Sequence, residues 1–317
     1  MHEGVRGHHG ELTGMRRPGI CTSALVLAGV LAPASIAPAT AIVADDPVVY
    51  AHRGGAGGDR TAENTLEVFG ATHETYGDDG VWLEMDTQLT GDGTLIVLHD
   101  DALNAEVNSN DDGWSGECAR AVIDMTYEDV RACDPDVPTL AEVVGAAKTF
   151  GWRLMIEIKN IPAEANFDPA GTKVASALID LLEAESFDGR DRLIVQSFYP
   201  PSLDVAVAQA QERGIELQSM LLTTGALPIP GDGIPDVGFP AMSNAAFSFA
   251  RGYDIVAPDI RSADLSADTV AAIRAMGKKV IVWTANEEAD IELLAAWGVD
   301  GIITDHPDLA YTVLAPG

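Results

Sequence analysis

Short β-branched runs alternate with helical stretches from residue 48 to residue 314, and this alternation restricts the fold more than any other feature of the chain. Runs at 48–52, 81–86, 153–158, 193–197, 216–221, 254–257, 280–283 and 301–304 read as strands. Helical patterns lie near 64–76, 139–150, 170–185, 201–213, 241–250, 266–276, 287–297 and 307–314. A strand followed by a helix and another strand sets the two strands parallel. Eight such pairs in about 270 residues match the size and period of a (β/α)8 TIM barrel. One more run, 94–98, follows its predecessor after only Gly91-Asp92-Gly93. A parallel crossover takes a dozen residues or more, so this run is expected to return antiparallel as a β-hairpin arm. Residues 101–138, after that arm, and 223–240, rich in Gly and Pro, break the period and read as insertions over the barrel mouth.

The N-terminus reads as an export signal. Met15-Arg16-Arg17 precedes an apolar run at 20–31, Pro33 and Pro38 follow, and Ala39-Thr40-Ala41 supplies small residues for cleavage. The run is shorter than the roughly 20 residues of a membrane span. Residues 1–44 are therefore expected to be a cleaved signal peptide, and 45–317 a single secreted domain with no stable membrane association. Cys21 lies in the signal, which leaves Cys118 and Cys133. A lone pair in an exported chain is expected to form a disulfide.

Charge limits the partners. Removing residues 1–44 takes away two acids and three Arg, leaving 47 acidic against 16 basic residues and a net charge of −31. Such a surface excludes nucleic acid and anionic lipid as partners. Phosphate could be handled only through a metal or a local basic pocket.

Barrel active sites are built where strands stop. The polar residues closing the apolar runs are His52 and Arg53 after the first strand, Glu84 and Asp86 in the second, Glu157 and Lys159 after the third, and His99 at the end of the hairpin arm. Strand side chains alternate, so Glu84 and Asp86 share a face, and Glu157 can join them from the neighbouring strand. Three inward carboxylates are too costly to leave unpaired, and one hard divalent cation, Ca2+ or Mg2+, is the natural partner. Arg53 and Lys159 among the acids suggest a phosphate bound beside that metal.

These residues carry a family resemblance. His52-Arg53-Gly54, Glu63-Asn64-Thr65, Glu84-x-Asp86, Thr90-x-Asp92-Gly93, His99-Asp100, Pro138-Thr139-Leu140, Glu157-x-Lys159, Ser197-Phe198, Trp283-Thr284-x-Asn286 and Gly298-Val299-Asp300-Gly301-Ile302-x-Thr304-Asp305-x-Pro307 resemble, in order, the glycerophosphodiester phosphodiesterase family. Ala62 stands where the family usually has Pro before Glu-Asn-Thr. The resemblance implies a secreted catalytic barrel over 45–317 that hydrolyses small glycerophosphodiesters to glycerol 3-phosphate and an alcohol. It implies metal binding by Glu84, Asp86 and Glu157, with His52 and His99 as acid and base. Arg53 and Lys159 would then hold the phosphate. Trp283 would pack on the glycerol carbons or serve as a buried barrel aromatic, and Glu63 would be an outer ligand or a polar support. Ser197 lacks a nucleophile elbow and is not expected to attack substrate. Two alternatives stay open: a related lyase of the sphingomyelinase D type that releases a cyclic phosphate, and a non-catalytic acidic cation-binding barrel. Nothing in the sequence sets the oligomeric state.

The charge excess leads to the first prediction. Like charges repel at low ionic strength, and salt shortens the Debye length to about 3 Å at 1 M. The melting temperature, read with divalent metal held at saturation, should therefore rise from low to molar NaCl. A flat or falling curve would show acids too dispersed for their repulsion to matter.

Overall fold

Eleven strands and nine helices are present among the residues described by the structure, a computed structural model covering 46–58, 62–103, 118–162, 164–224 and 241–315. The expected signal, Cys21 and nearly all of the second insertion lie outside the described residues. The strands are β1 (Val48–Ala51), β2 (Trp82–Leu89), β3 (Leu95–Val97), β4 (Ala102–Leu103), β5 (Arg120–Ala121), β6 (Arg153–Ile158), β7 (Leu193–Ser197), β8 (Gln218–Thr223), β9 (Ile255–Pro258), β10 (Lys279–Val282) and β11 (Gly301–Thr304). Eight of them, β1, β2 and β6 to β11, pair in parallel, and the contact of β1 with both β2 and β11 closes the sheet. The fold is a (β/α)8 TIM barrel, as the alternation required.

The helices are α1 (Leu66–Tyr76), α2 (Tyr127–Cys133), α3 (Leu140–Phe150), α4 (Lys173–Glu185), α5 (Pro200–Arg213), α6 (Ala241–Arg251), α7 (Ala267–Ala275), α8 (Glu288–Trp297) and α9 (Pro307–Leu314). Local chemistry explains their ends. Thr139 and Glu142 form a capping box at the start of α3, and Gly151 closes the helix in the left-handed region. Among the described residues, no helix is long and apolar enough to cross a membrane.

Inside the barrel, Tyr50, Trp82, Met155, Ile194, Met220, Ile255, Ile281 and Ile303 form an apolar plug. The Tyr50 ring lies over Gly301 of β11, two residues before its register partner Ile303, and an added Cβ there would lie 2.4 Å from the ring. Two larger clusters lie between sheet and helices. The interior therefore supports a polar layer at the strand ends on an apolar floor.

Several strand boundaries differ from the sequence reading by a few residues. β2 runs on to Leu89 because Thr87, Gln88 and Leu89 pair antiparallel with Val97, Ile96 and Leu95 of the hairpin arm. The strand before α6 begins at Gln218, and β10 stops at Val282, leaving Trp283 in an isolated bridge with Asp259.

The first insertion also differs from expectation. Its described residues do not line the cavity at the barrel mouth. Leu103, Val122, Met125, Val130 and Val137 instead pack on Ile96 and Leu98 of the arm in a small core of their own. Apolar side chains need a partner surface, and the outer face of β3 supplies one. Helix α2 starts at Thr126, whose hydroxyl and the Asp129 carboxylate form a capping box.

Cys118 and Cys133 are joined by a disulfide that ties the chain just before β5 to the end of α2. Closing the loop over residues 119–132 contributes about 3 kcal/mol in the chain-entropy model. The second prediction is that Cys133→Ser or reduction speeds amide exchange in residues 118–137 and leaves the barrel strands protected. Two free thiols in protein from the native host, read by mass spectrometry, would remove the bridge from the native state.

Candidate active site

His52, Arg53, Glu84, Asp86, His99, Glu157, Lys159 and Trp283 all line one cavity of about 250 Å³ at the C-terminal end of the barrel. Strand register brings the acids together. Asp86 of β2 pairs with Glu157 of β6, and Glu157 with Gln196 of β7, so these three side chains share one rung and point inward. Glu84 lies two residues below Asp86 on the same face. One oxygen from each of Glu84, Asp86 and Glu157 falls within 4.8 Å of the others, and all three residues are buried.

Positive groups are arranged around this triad. After β1 the chain turns through three consecutive residues of positive φ, Arg53 at 50°, Gly54 at 92° and Gly55 at 79°. At Gly54 and Gly55 a Cβ would come within 2.5 Å of Val68 and 2.7 Å of Pro307, so both positions need glycine twice over. The turn aims the Arg53 amide at Glu84 Oε2, 2.8 Å away. The Arg53 side chain donates through Nη1 to Glu63 at 3.0 Å. Its Nε lies 3.5 Å from Asp86, buried without a hydrogen-bond partner. Lys159, 3% exposed, sets Nζ 3.2 Å from both Asp86 and Glu157. Asn64, itself at φ 59°, donates to Asp86 Oδ2 at 3.0 Å, and Gln196 donates to Glu84 Oε1 at 2.7 Å.

The compensation is unequal. Burial favours the neutral form of every acid here, but Lys159, the two histidines and Arg53 hold the Asp86 carboxyl well below its usual range. Glu84 is driven well upward by burial and by the charge of Asp86. Glu157 is pushed to about 8 by burial, which Lys159 only partly opposes. Two of the three acids are thus only partly compensated, and a hard cation fits that deficit and that set of oxygens.

Each histidine has its own carboxylate. His52 Nδ1 meets Asp305 Oδ1 at 2.6 Å, and His99 Nδ1 meets Asp100 Oδ1 at 2.5 Å. Despite burial, the bond with His52 keeps the Asp305 carboxyl below its ordinary value. Burial and the nearby Lys159 ammonium lower the pKa of His99. Trp283 donates Nε1 to the Ala257 carbonyl at 2.9 Å and meets Phe198 edge to face at 5.3 Å, forming an apolar wall.

The sequence model of the glycerophosphoryl diester phosphodiesterase family matches residues 52–309. The chain belongs to that family. With it, the chain is a phosphoric diester hydrolase. A glycerophosphodiester phosphodiesterase of Bacillus altitudinis is 30% identical over 278 residues, covering 84% of this chain and 97% of that protein. Among solved structures, a glycerophosphodiester phosphodiesterase from Parabacteroides distasonis superposes with a TM-score of 0.64 at 19% identity, over 86% of this chain and 98% of that one. An Oleispira antarctica phosphodiesterase solved in complex with the product sn-glycerol-3-phosphate gives 0.60 at 20%, over 85% and 97%.

The family motifs contain residues to which the sequence reading gave no role. Asp305 also accepts from Asn286 Nδ2 at 2.5 Å, and its amide donates to Asn286 Oδ1 at 2.9 Å, so Asn286 steadies the partner of His52. Asn64, taken as a helix start, bonds Asp86, while Thr65 is the cap of α1. Glu63 supports Arg53. Ser197 spends its hydroxyl on the Ile158 carbonyl at 2.9 Å and has no catalytic posture.

The raised carboxyls generate the third prediction. In metal-free protein Glu157 is stabilising in its protonated form, and that contribution is lost as pH rises from 4.5 through about 8. A cation bound through Glu157 must displace this proton. Apparent Ca2+ affinity by calorimetry should therefore climb from pH 6 to pH 8, by up to about tenfold per unit for each proton released. A flat affinity would mean that the acids are already ionised without metal.

Proposed function

We propose that this protein is an exported, divalent-metal-dependent phosphodiesterase that hydrolyses glycerophosphodiesters to glycerol 3-phosphate and an alcohol by two-histidine acid–base catalysis. One observation carries the reading: three buried carboxylates, two carboxylate-backed imidazoles and two cations line a single cavity. The 30% identical relative named for this activity supports the substrate class.

Glu84, Asp86 and Glu157 would hold Ca2+ or Mg2+, which when bound supplies positive charge to the phosphate oxygens. Arg53 directs its unpartnered Nε at a non-bridging oxygen, and Lys159 adds a point charge from below. Trp283 and Phe198 present their wall to the glycerol carbons. Asp305 and Asp100 each engage an Nδ1, which leaves Nε2 of both histidines for the reacting groups. His99, held toward its neutral form by burial and Lys159, takes a proton from water as the water oxygen bonds to phosphorus. The ester bond to the alcohol breaks, and His52, backed by the Asp305 carboxylate, gives a proton to the departing oxygen.

The fourth prediction tests these roles. Glycerol 3-phosphate release from a panel of glycerophosphodiesters should stop on chelation and return with Ca2+ or Mg2+. His52→Ala and His99→Ala should each lower kcat by about 10²–10⁴ with the fold intact. Full activity in either variant would remove that residue from the mechanism, and a cyclic phosphate in the phosphorus NMR spectrum would replace hydrolysis by the lyase reading.

A further inference from the structure

The proposed mechanism leaves Gln196 without a task. This residue sits in β7 at 1% exposure and lines the same cavity as the carboxylates. It stands directly beside Glu157 in the rung that begins with Asp86. Its Nε2 donates to Glu84 Oε1 at 2.7 Å. With a cation bound, Glu84 is ionised and only accepts, so in that state this bond fixes the amide with nitrogen toward Glu84 and oxygen away from it. That oxygen, Gln196 Oε1, is buried and has no hydrogen-bond partner.

Buried acceptors without partners are rare, and one on a residue that lines a site points to something the site takes up. The nearby donor is already engaged: Lys159 lies 3.2 Å from both Asp86 and Glu157. What the surrounding oxygens share is a demand for a cation, and an amide carbonyl is an ordinary ligand for one. Ca2+ accepts six to eight oxygens in flexible geometry, whereas Mg2+ holds to an octahedron and retains several waters. A fourth protein oxygen in the rung suits the larger ion.

We propose that Gln196 Oε1 is a fourth protein ligand of the divalent cation and that the site it completes prefers Ca2+ to Mg2+. The proposal rests on the reading that Glu84, Asp86 and Glu157 hold the metal. Eu3+, a luminescent stand-in for Ca2+, tests it, because its decay rates in H2O and D2O count the waters it carries. In Gln196→Met the bound Eu3+ should gain one water, and Ca2+ affinity should drop about tenfold while Mg2+ affinity changes less. Gln196→Glu, which keeps an oxygen at the same reach, should restore the wild-type water count. A residue that only steadied Glu84 would leave the water count unchanged, and that result would overturn the proposal. Equal affinity of the wild type for the two ions would overturn the stated preference. Should Gln196→Met fail to fold, Gln196→Asn withdraws the oxygen by one methylene and is read in the same way. Glu84→Gln separates the two readings. If Eu3+ binding survives it, the carboxylate site is misplaced and both fall; if binding is lost while the Gln196→Met water count stays at the wild-type value, only the role of Gln196 falls.

Discussion

Like charge buried at one level of the barrel is the constraint on which the rest of the site depends. Glu84 and Asp86 are each 1% exposed and Glu157 5%, and their oxygens crowd one another. Carboxylates taken out of water at such spacing demand compensation. Nearly every unusual feature nearby answers that demand. The left-handed conformation of Arg53 turns its amide onto Glu84, that of Asn64 brings an amide group to Asp86, and Lys159 is buried against two acids at once. These donors are not shared evenly. Asp86 collects most of them and remains an anion, while Glu84 and Glu157 are left short. The shortage suits a site that binds a cation reversibly, since full internal compensation would leave nothing for the ion to contribute.

The two imidazoles reach this level by different routes. His52 follows directly from the end of β1, and Asp305, just past the neighbouring β11, holds it. His99 has no barrel strand of its own. It is delivered by the return of β3 along the extended end of β2, and Gln88 of β2 donates to its carbonyl at 3.1 Å. Asn166, from the loop after β6, donates in turn to Gln88. The arm is covered by the small core of the insertion, and the disulfide closes that insertion. A chain of packing thus runs from Cys118 and Cys133 through Ile96 and Leu98 to the position of His99, although no described residue of the insertion touches the cavity.

Period and punctuation made the barrel legible before any coordinates, because buried parallel strands are continuous apolar runs and their connections are long. Glu84 and Asp86 were legible as a pair for the same reason: a spacing of two on a strand fixes the face. Contacts that depend on the closed barrel were not. Gln196 is one polar residue at the end of an apolar run, and only the register of β6 with β7 sets it beside Glu157. Asn286 and Asp305 are 19 residues apart on successive strand ends and meet only when the barrel closes. Helix α2 was hidden differently. The segment reads only as an insertion that breaks the period, although Thr126 and Asp129 carry the spacing of a capping box.

The scarcity of bases gives their placement meaning. Many of those on the surface stand within ion-pair reach of acids, as with Arg213 beside Asp180 and Glu183, Arg251 beside Asp204, Arg190 beside Asp254 and Lys148 beside Glu185. Exposed pairs of this kind contribute little individually, and salt screens them together with the repulsion among the excess acids. Arg53 and Lys159 belong to another electrostatic regime. They lie inside a low-dielectric cavity, within reach of buried acids, where mobile ions screen them far less. One chain therefore holds two populations of charge with opposite responses to ionic strength. The outer acids lose their mutual repulsion as salt is added, while the inner cations keep a field that salt barely screens. A surface this acidic repels an anionic substrate at long range, so the attraction that binds it must come from groups that salt does not reach. Burial of Lys159 beside two carboxylates, costly as it is for stability, places one such group in the cavity.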